Sequence, residues 1–479
     1  MVPDAEKSIA VATKDDSHIS PRQADAALEY LQTGEVTTFS EVEEKQLVRK
    51  IDRMIVPLMW AIYFLQYQDK ILINYASVMG LLDDTGMRTD QFSNLALAFY
   101  VSYLFFELPT GYLMQRLPTA KYLGLNVTLW GLLTTLNCVA KNFAGLVILR
   151  VLLGCFESAV APALILITSM WYRRDEQPKR IGLWYLGTGT ATIVGALVAY
   201  GLLFYTDDEF YSWQIMFLIF GLVTIAVGVT VIVIFPDNPM TSWLSHEEKI
   251  MAIERLRENR TGIENKQFKW NQFLEVFADP QAYLIAIIVA ASNISNAAIS
   301  SFSALIIKDF GFTTKETELL TIPGGVVSVV SILAGTHLAG RFDQRCFCVL
   351  ANQGAKLAGN YLTNCVGSAL PLMYSIAGAN VAGHTKKVTM NAIVLMSFCL
   401  GNILGPLSFR TQDEPEYMPA KVAIVATVSV AIVFTGVLKG YYIYENRRRE
   451  KNGLGVQHQE DSEFLDLTDR ENLEFRYKH

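Results

Sequence analysis

Charge is scarce in this chain. Asp, Glu, Lys and Arg make up 18% of its 479 residues, where a soluble domain carries roughly a quarter. Hydrophobic residues make up 51%, and the charges gather between long apolar runs. That pattern leaves a polytopic all-α membrane protein, since helices satisfy their own backbone in lipid. Cysteine is scarce too. Cys138, Cys155, Cys346, Cys348, Cys365 and Cys399 lie mostly in or beside apolar runs, without zinc-ligand spacing. Neither a metal site nor a disulfide framework is therefore expected. The chain lacks a phosphate-binding loop, which argues against nucleotide-driven transport. It shows no catalytic constellation and no nucleic-acid signature, so no enzyme, no cofactor and no nucleic-acid partner are expected. It opens without a signal peptide: residues 1–50 are polar, and the first span is expected to act as the targeting signal. The net charge of −6 says little, because orientation follows where Lys and Arg sit.

What is present is a succession of apolar runs long enough to cross a bilayer, for which roughly 20 residues are needed. Spans are predicted near residues 55–79, 92–114, 122–140, 143–172, 181–204, 215–235, 283–307, 319–339, 357–382, 388–407 and 422–444. Six precede a polar segment and five follow it. This divides the chain into an N-terminal tail (1–50), a six-helix bundle (51–235), a linker (236–280), a second bundle (281–445) and a C-terminal tail (446–479). Within the linker, residues 245–257 read as an amphipathic helix whose Ser-His-Glu-Glu start resembles a cap. The loops after spans 2, 4, 6 and 8, the His384-Thr385-Lys386-Lys387 segment and the C-terminal tail are basic; those after spans 1 and 5 are acidic. Basic loops mark the cytoplasmic side, so the N-terminus is expected inside. The count then fails at one place. The loop with Arg341 and Arg345 and the segment 384–387 both read as cytoplasmic, yet a single clear span lies between them. Residues 345–356, RCFCVLANQGAK, are too polar to cross. One helix reads as missing near 347–354. Loss of a segment fits better than an altered topology, because the basic loops alternate correctly on both sides.

Charges inside spans are the strongest functional signal. Each costs at least ~2.5–3.5 kcal/mol at membrane depth and usually faces a bundle interior. Arg150, Gly154 and Glu157 fall at i, i+4 and i+7, on one helix face. In span 1, Tyr63, Tyr67, Lys70 and Asn74 make a polar stripe, while Asp69 lies about 100° away around the same helix. Glu107 and Pro109 lie in span 2. Span 5 carries Gly187, Gly189, Gly195 and Gly201, small residues that let helices approach closely.

Two halves joined by a central loop resemble the major facilitator superfamily, in which two bundles rock about a midplane site. The motifs narrow the resemblance. RVLLGCFESAVAP (150–162) fits R-x3-G-x2-E-[GS]-x3-P and is similar to the span 4 signature of the anion:cation symporter family. LQYQDKILINYASVMG (65–80), FPDNPMTSWLSHEEK (235–249) and NVAGHTKKVTMNAIVLMSFCLGNILGP (380–406) resemble the fungal allantoate permease branch. The superfamily's loop 2–3 motif is kept only in part, with Gly111, Gln115 in place of the acid, Arg116 and Lys121. The family's span 9 has no counterpart. The resemblance implies the major facilitator fold, nominally twelve spans with eleven recognisable. It implies alternating access and proton-driven uptake of a small organic anion, a carboxylate nutrient of the allantoate, nicotinate or pantothenate kind, across the plasma membrane. The partners implied are that anion, protons and the lipid bilayer, for a monomer.

A carboxylate substrate needs a positive partner, and Lys70 and Arg150 are the candidates. Alternatively each is neutralised by an acid, Lys70 by Glu107 and Arg150 by Glu157 or a backbone carbonyl. Glu157 is the first candidate for proton coupling, followed by Asp69 and Glu107. Tyr67 and Asn74 share the Lys70 face. From the second bundle, Asn293, Asn296, Tyr361, Asn364 and Tyr374 are placed either to bond substrate or to bond helix to helix. His384, Lys386 and Lys387 are expected to anchor the cytoplasmic end. Two further functions stay open: a transport-inactive or nutrient-sensing product lacking one helix, and an efflux carrier. Span 5 lacks the full Gly-x8-Gly-Pro pattern of antiporters, which argues against the latter.

Overall fold

Helix starts in this molecule are written by short polar caps. In the computed structural model, Ser40 Oγ accepts the Glu43 N–H at 3.3 Å while the Ser40 N–H donates to Glu43 Oε2 at 2.9 Å. That reciprocal capping box recurs at Ser245 and Glu248 (2.9 and 3.2 Å), where the Ser-His-Glu-Glu start predicted it. It recurs again at Thr313 and Glu316. Residues 40–87, 89–205, 210–257, 268–309, 313–342, 369–407, 418–451, 467–472 and 475–478 are described. Among them all regular elements are helical: α1 (Glu41–Val78), α2 (Leu81–Thr85), α3 (Thr89–Arg116), α4 (Thr119–Leu136), α5 (Phe143–Glu157), α6 (Val160–Trp171), α7 (Gln177–Tyr185), α8 (Gly187–Leu202), α9 (Ser212–Ile234), α10 (His246–Arg257), α11 (Trp270–Phe277), α12 (Pro280–Asp309), α13 (Thr314–Phe342), α14 (Ala369–Asn380), α15 (His384–Leu407) and α16 (Met418–Lys451).

Among the described residues, six helices are long and apolar enough to cross a membrane, and the pair Trp270–Phe277 and Pro280–Ile294, bent by 63°, adds a seventh. The helices that miss that standard include α1, which carries Asp69 and Lys70, and α3, which carries Glu107. Polar groups thus dilute the spans that line the site. Large apolar side chains such as Phe105, Ile148, Val233 and Val433 are exposed on the outer surface, as lipid-facing positions require. Predicted span 4 is two helices, α5 and α6, broken at Ser158–Ala159 directly after Glu157. The predicted span 357–382 is described from Ala369 onward. The last expected loop, 411–416, lies outside the described residues.

Call the end where α1 begins and α16 finishes the termini face, and the opposite end the far face. On the termini face α10 is riveted to the first bundle. Arg255 reaches Glu176 at 2.8 Å and Glu44 at 3.3 Å, Arg180 reaches Asp52 at 3.0 Å, and Lys50 reaches Glu248 at 2.7 Å. The segment 384–387 is not a loop but the first turn of α15, entered through Gly383, whose φ of 86° favours glycine. Lys386 is fully buried there, between Glu275, Asp279 and Asp469 at 2.7–2.8 Å.

The two bundles meet along α3 with α15 and α8 with α13. A Cβ on Gly189 would stand 2.7 Å from the Gly325 carbonyl oxygen, and one on Gly111 would stand 3.2 Å from Val388. Gly189 lies early in α8 and meets Gly325 and Val329, while Lys315 at the start of α13 lies over Phe204 beyond the end of α8. The two helices are therefore antiparallel, and α13 descends to the termini face. α14 also descends, because Asn380 at its end bonds Lys478 of the tail. Two successive described helices therefore run the same way. Residues 343–368, where the sequence reads as short of one helix, join them and lie outside the described residues. Both described chain ends sit on the termini face.

Three of the four span 5 glycines sit at close approaches. A Cβ would lie 2.6 Å from Phe64 N at Gly187 and 2.5 Å from Gln68 Nε2 at Gly195, whereas Gly201 faces open space. Gly187→Val is expected to lower stability by ~1–3 kcal/mol, the cost of overpacking, and Gly201→Val to leave it unchanged. Thermal unfolding of both variants in detergent checks this, and equal melting would refute the close-packing account.

Candidate functional site

Adjacent residues on α1 point into two different environments. Asp69 faces the first bundle: it accepts Thr134 Oγ1 at 2.9 Å and pairs with Arg150 Nη1 at 3.4 Å. Both members are buried. Glu157 and a backbone carbonyl are the two neutralisers that the sequence offers Arg150; the residue that reaches it is Asp69 on α1. The Nε and second Nη of Arg150 have no hydrogen-bond partner.

Glu157, at the end of α5, is fully buried and neither carboxylate oxygen accepts a hydrogen bond. Asp69, Lys70 and Arg150 are the charged groups close enough to act on it. Gln66 donates to its backbone carbonyl at 3.4 Å. Gly154, one turn earlier, lets α5 press on α3: a Cβ there would stand 2.5 Å from the Phe99 carbonyl oxygen. The face predicted for Arg150, Gly154 and Glu157 is therefore real, and its partners are α1 and α3.

Lys70, one residue on, faces the gap between the bundles. Its Nζ lies 5.6 Å from the Tyr103 ring centroid on α3 and 5.2 Å from that of Phe398 on α15. It is partly exposed, and among the described residues no carboxylate comes within 4 Å of it. Glu107, expected as its counter-ion, acts on it only at longer range; that carboxylate is fully buried and accepts no hydrogen bond. Exposure rises along the stripe towards the far face, from buried Tyr63 through half-buried Tyr67 and Lys70 to exposed Asn74. The site is therefore approached from the far face. Its floor is aromatic. Tyr63 lies 4.8 Å from both Trp184 and Tyr185, centroid to centroid. Tyr374 of α14 is buried beside Tyr185 and Glu107 with its hydroxyl unpartnered.

The other second-bundle candidates fall elsewhere. Asn293 donates to its own helix at Val289 O, 2.8 Å, and stands where Gly401 of α15 presses against α12. Its hydrogen bond stays within α12, so among the described residues neither a contact with Lys70 nor a bond to another helix is seen. Asn296 lies on α12 with its side chain outside the described residues, as do Tyr361 and Asn364 entirely. The aromatic companions Tyr103, Trp184, Tyr185 and Phe398 were missed; an isolated aromatic in an apolar run carries no signal of facing a cation.

Breaking a buried ion pair from one side costs ~3–5 kcal/mol, because the remaining charge is uncompensated. Asp69→Asn is therefore expected to yield a strongly destabilised protein, and Asp69→Asn with Arg150→Gln to regain much of the loss. Melting temperatures of the three proteins decide it; an Asp69→Asn variant as stable as the parent would show that the pair contributes little.

Residues 59–406 match the family model described as the Major Facilitator Superfamily. The chain is 36% identical to the uncharacterized transporter C417.10 of Schizosaccharomyces pombe, over 99% of this chain and 97% of the relative. It is 32% identical to the allantoate permease of Saccharomyces cerevisiae, over 95% of this chain and 90% of the relative. Both alignments, at 497 and 489 positions, are longer than this 479-residue chain, so each relative carries residues without a counterpart here. Among solved structures, the proton:xylose symporter XylE superposes with a TM-score of 0.63 at 11% identity, covering 82% of this chain and 95% of its own. At that identity the likeness speaks for the fold.

Proposed function

The chain belongs to the Major Facilitator Superfamily and is a multi-pass membrane transporter, and we propose that it couples protons to the uptake of a small organic anion, with a carboxylate held at Lys70. The observation that carries this reading is the Lys70 ammonium, without a counter-ion among the described residues and set over two aromatic faces between the bundles. A cation–π contact contributes about 0.5–2 kcal/mol, less than a half-buried ammonium gains from a carboxylate. The three N–H donors of Lys70 thus remain available to an incoming anion. Arg150, by contrast, is held by Asp69 and is better suited to tuning the acid beside it.

In this reading the termini face is cytoplasmic and the membrane is the plasma membrane. From the far face, an anion settles on Lys70 and a proton on Glu157. With both charges neutralised, little free charge remains in the gap, and the bundles rock about the α3–α15 and α8–α13 contacts. The Saccharomyces relative's name, allantoate permease, supports an anionic substrate. Purified protein in liposomes with an acidic exterior tests the reading against a panel of carboxylates, allantoate among them. Uptake that follows the imposed pH gradient supports it. Uptake of none of the panel, or uptake indifferent to the gradient, would overturn it.

One observation favours a different reading, a transport-inactive or nutrient-sensing product: α13 and α14 run in the same direction, while both relatives carry residues without a counterpart here. In that case carboxylates would bind the purified protein without being translocated, and the same liposomes loaded with a bound ligand would separate the two.

A further inference from the structure

The C-terminal tail returns to the termini face and is built into it. Asp469 is fully buried. Its carboxylate meets Lys386 Nζ at 2.7 Å, accepts the Tyr477 hydroxyl at 2.7 Å and accepts Gln281 Nε2 at 3.3 Å. Arg449 of α16 donates to the carbonyls of Asp469 (2.9 Å), Asn472 (3.3 Å) and Phe475 (2.9 Å). Two asparagines read the tail backbone as a strand partner would. Asn380 bonds both the N–H and the carbonyl of Lys478 at 2.7 Å, and Asn446 bonds both of Tyr477 at 2.9–3.0 Å. Tyr477 stacks on Tyr442 at 5.3 Å. All these partners belong to the second bundle.

One side chain from the first bundle completes the dock. Arg174, in the turn between α6 and α7, places its guanidinium 4.5 Å from the Phe475 ring centroid. It donates to the Arg476 carbonyl at 3.3 Å and to the Ala379 carbonyl at the end of α14. Phe475 is fully buried. The tail therefore touches both bundles at the end where they must part for a site open to the termini face.

We propose that the tail segment ending at Lys478 is a latch: docked on the second bundle, it captures Arg174 of the first through Phe475 and Arg476 and holds the termini face shut. It rests on alternating access, the general part of the reading above, and not on the substrate. The energetic logic is the split of contacts. The ties to the second bundle are many, buried and charge-assisted, whereas the tie described to the first runs through the Arg174 guanidinium. When the face opens, the tail stays with the second bundle and the Arg174 contact breaks.

The test needs no substrate. Ser375 on α14 is buried, and it lies three residues before Gly378, where a Cβ would stand 3.4 Å from Gln177 Oε1 of the first bundle. Residues three apart share a helix face, so Ser375→Cys reports opening between the bundles. A membrane-impermeant maleimide is applied to the termini face of vesicles, with the parent chain giving the background from native cysteines. With Phe475→Ala plus Arg174→Ala, labelling is expected to quicken about tenfold, the population shift that a lost interaction of about 1.4 kcal/mol produces. Labelling at the unaltered rate would overturn the latch. As the second arm, Arg174→Cys and Phe475→Cys are joined, before Ser375→Cys is exposed to the maleimide, by a bifunctional thiol-alkylating crosslinker that carries an internal disulfide. Labelling is expected to stop and to return on reduction; a crosslinked protein that labels as before would overturn the proposal even if the first variant misfolds. Loss of carboxylate uptake in liposomes bears on the proposed substrate, while the labelling rates bear on the latch.

Discussion

Lys70→Gln should abolish concentrative uptake of the transported anion. The lost group is a half-buried ammonium whose hydrogen bonds to a carboxylate contribute about 1.5–3 kcal/mol, which is roughly 10- to 150-fold in affinity. The glutamine keeps the length and some hydrogen bonding but not the charge, so the loss should appear as a raised KM and a reduced maximal rate. Lys70→Arg restores the charge with a wider head against Tyr103 and Phe398 and should recover part of the uptake. Folding is not expected to suffer, because among the described residues no carboxylate within 4 Å is left without its counter-ion. Substrate saturation curves in liposomes, read beside the melting temperature, separate binding from stability. A Lys70→Gln protein with parental KM would remove the lysine from the site.

Glu157→Gln should uncouple transport from the proton gradient. A proton descending one pH unit carries about 1.4 kcal/mol, enough for about tenfold accumulation of a co-transported solute. The variant is isosteric, and its amide can donate to Asp69, which lies within hydrogen-bond reach of the parent carboxyl group, so the fold should tolerate it. Accumulation should fall away while exchange of labelled for unlabelled substrate across the membrane persists. Glu107→Gln is the companion: that acid also lies buried and without partners, but Lys70 is the charged group acting on it, and the Asp69–Arg150 pair is not. It is expected to change substrate affinity with the coupling kept. Accumulation that survives Glu157→Gln and disappears in Glu107→Gln would reassign the proton to the latter.

Much of the fold was legible because each span is a long apolar run bounded by basic or acidic loops, and because helix caps are local. The Ser245–Glu248 cap and the separate facing of Asp69 and Lys70 both follow from spacing along one helix. Pairings between helices do not. Arg150 lies on the same helix face as Glu157, yet its partner is Asp69, 81 positions earlier in the chain, and spacing within a helix carries no information about that. The aromatic seat of Lys70 comes from α3 and α15, which only the packing of the two bundles brings together. The tail read as basic then acidic, a solvated cytoplasmic end. Its acid is in fact buried against Lys386, whose own run HTKK read as a surface loop. What disguised both was mutual: each looks hydrophilic alone, and each finds its counter-charge in the other.

Asp69 and Lys70 are consecutive residues of one continuous helix, and that fact shortens the problem of coupling. No chain of intervening side chains is needed to carry news of the anion to the acid. The rigid backbone of α1 is itself the linkage, with one shoulder in the gap between the bundles and the other against Arg150 and Glu157. In the proposed uptake cycle, a small roll of α1 that follows an anion would move both shoulders together.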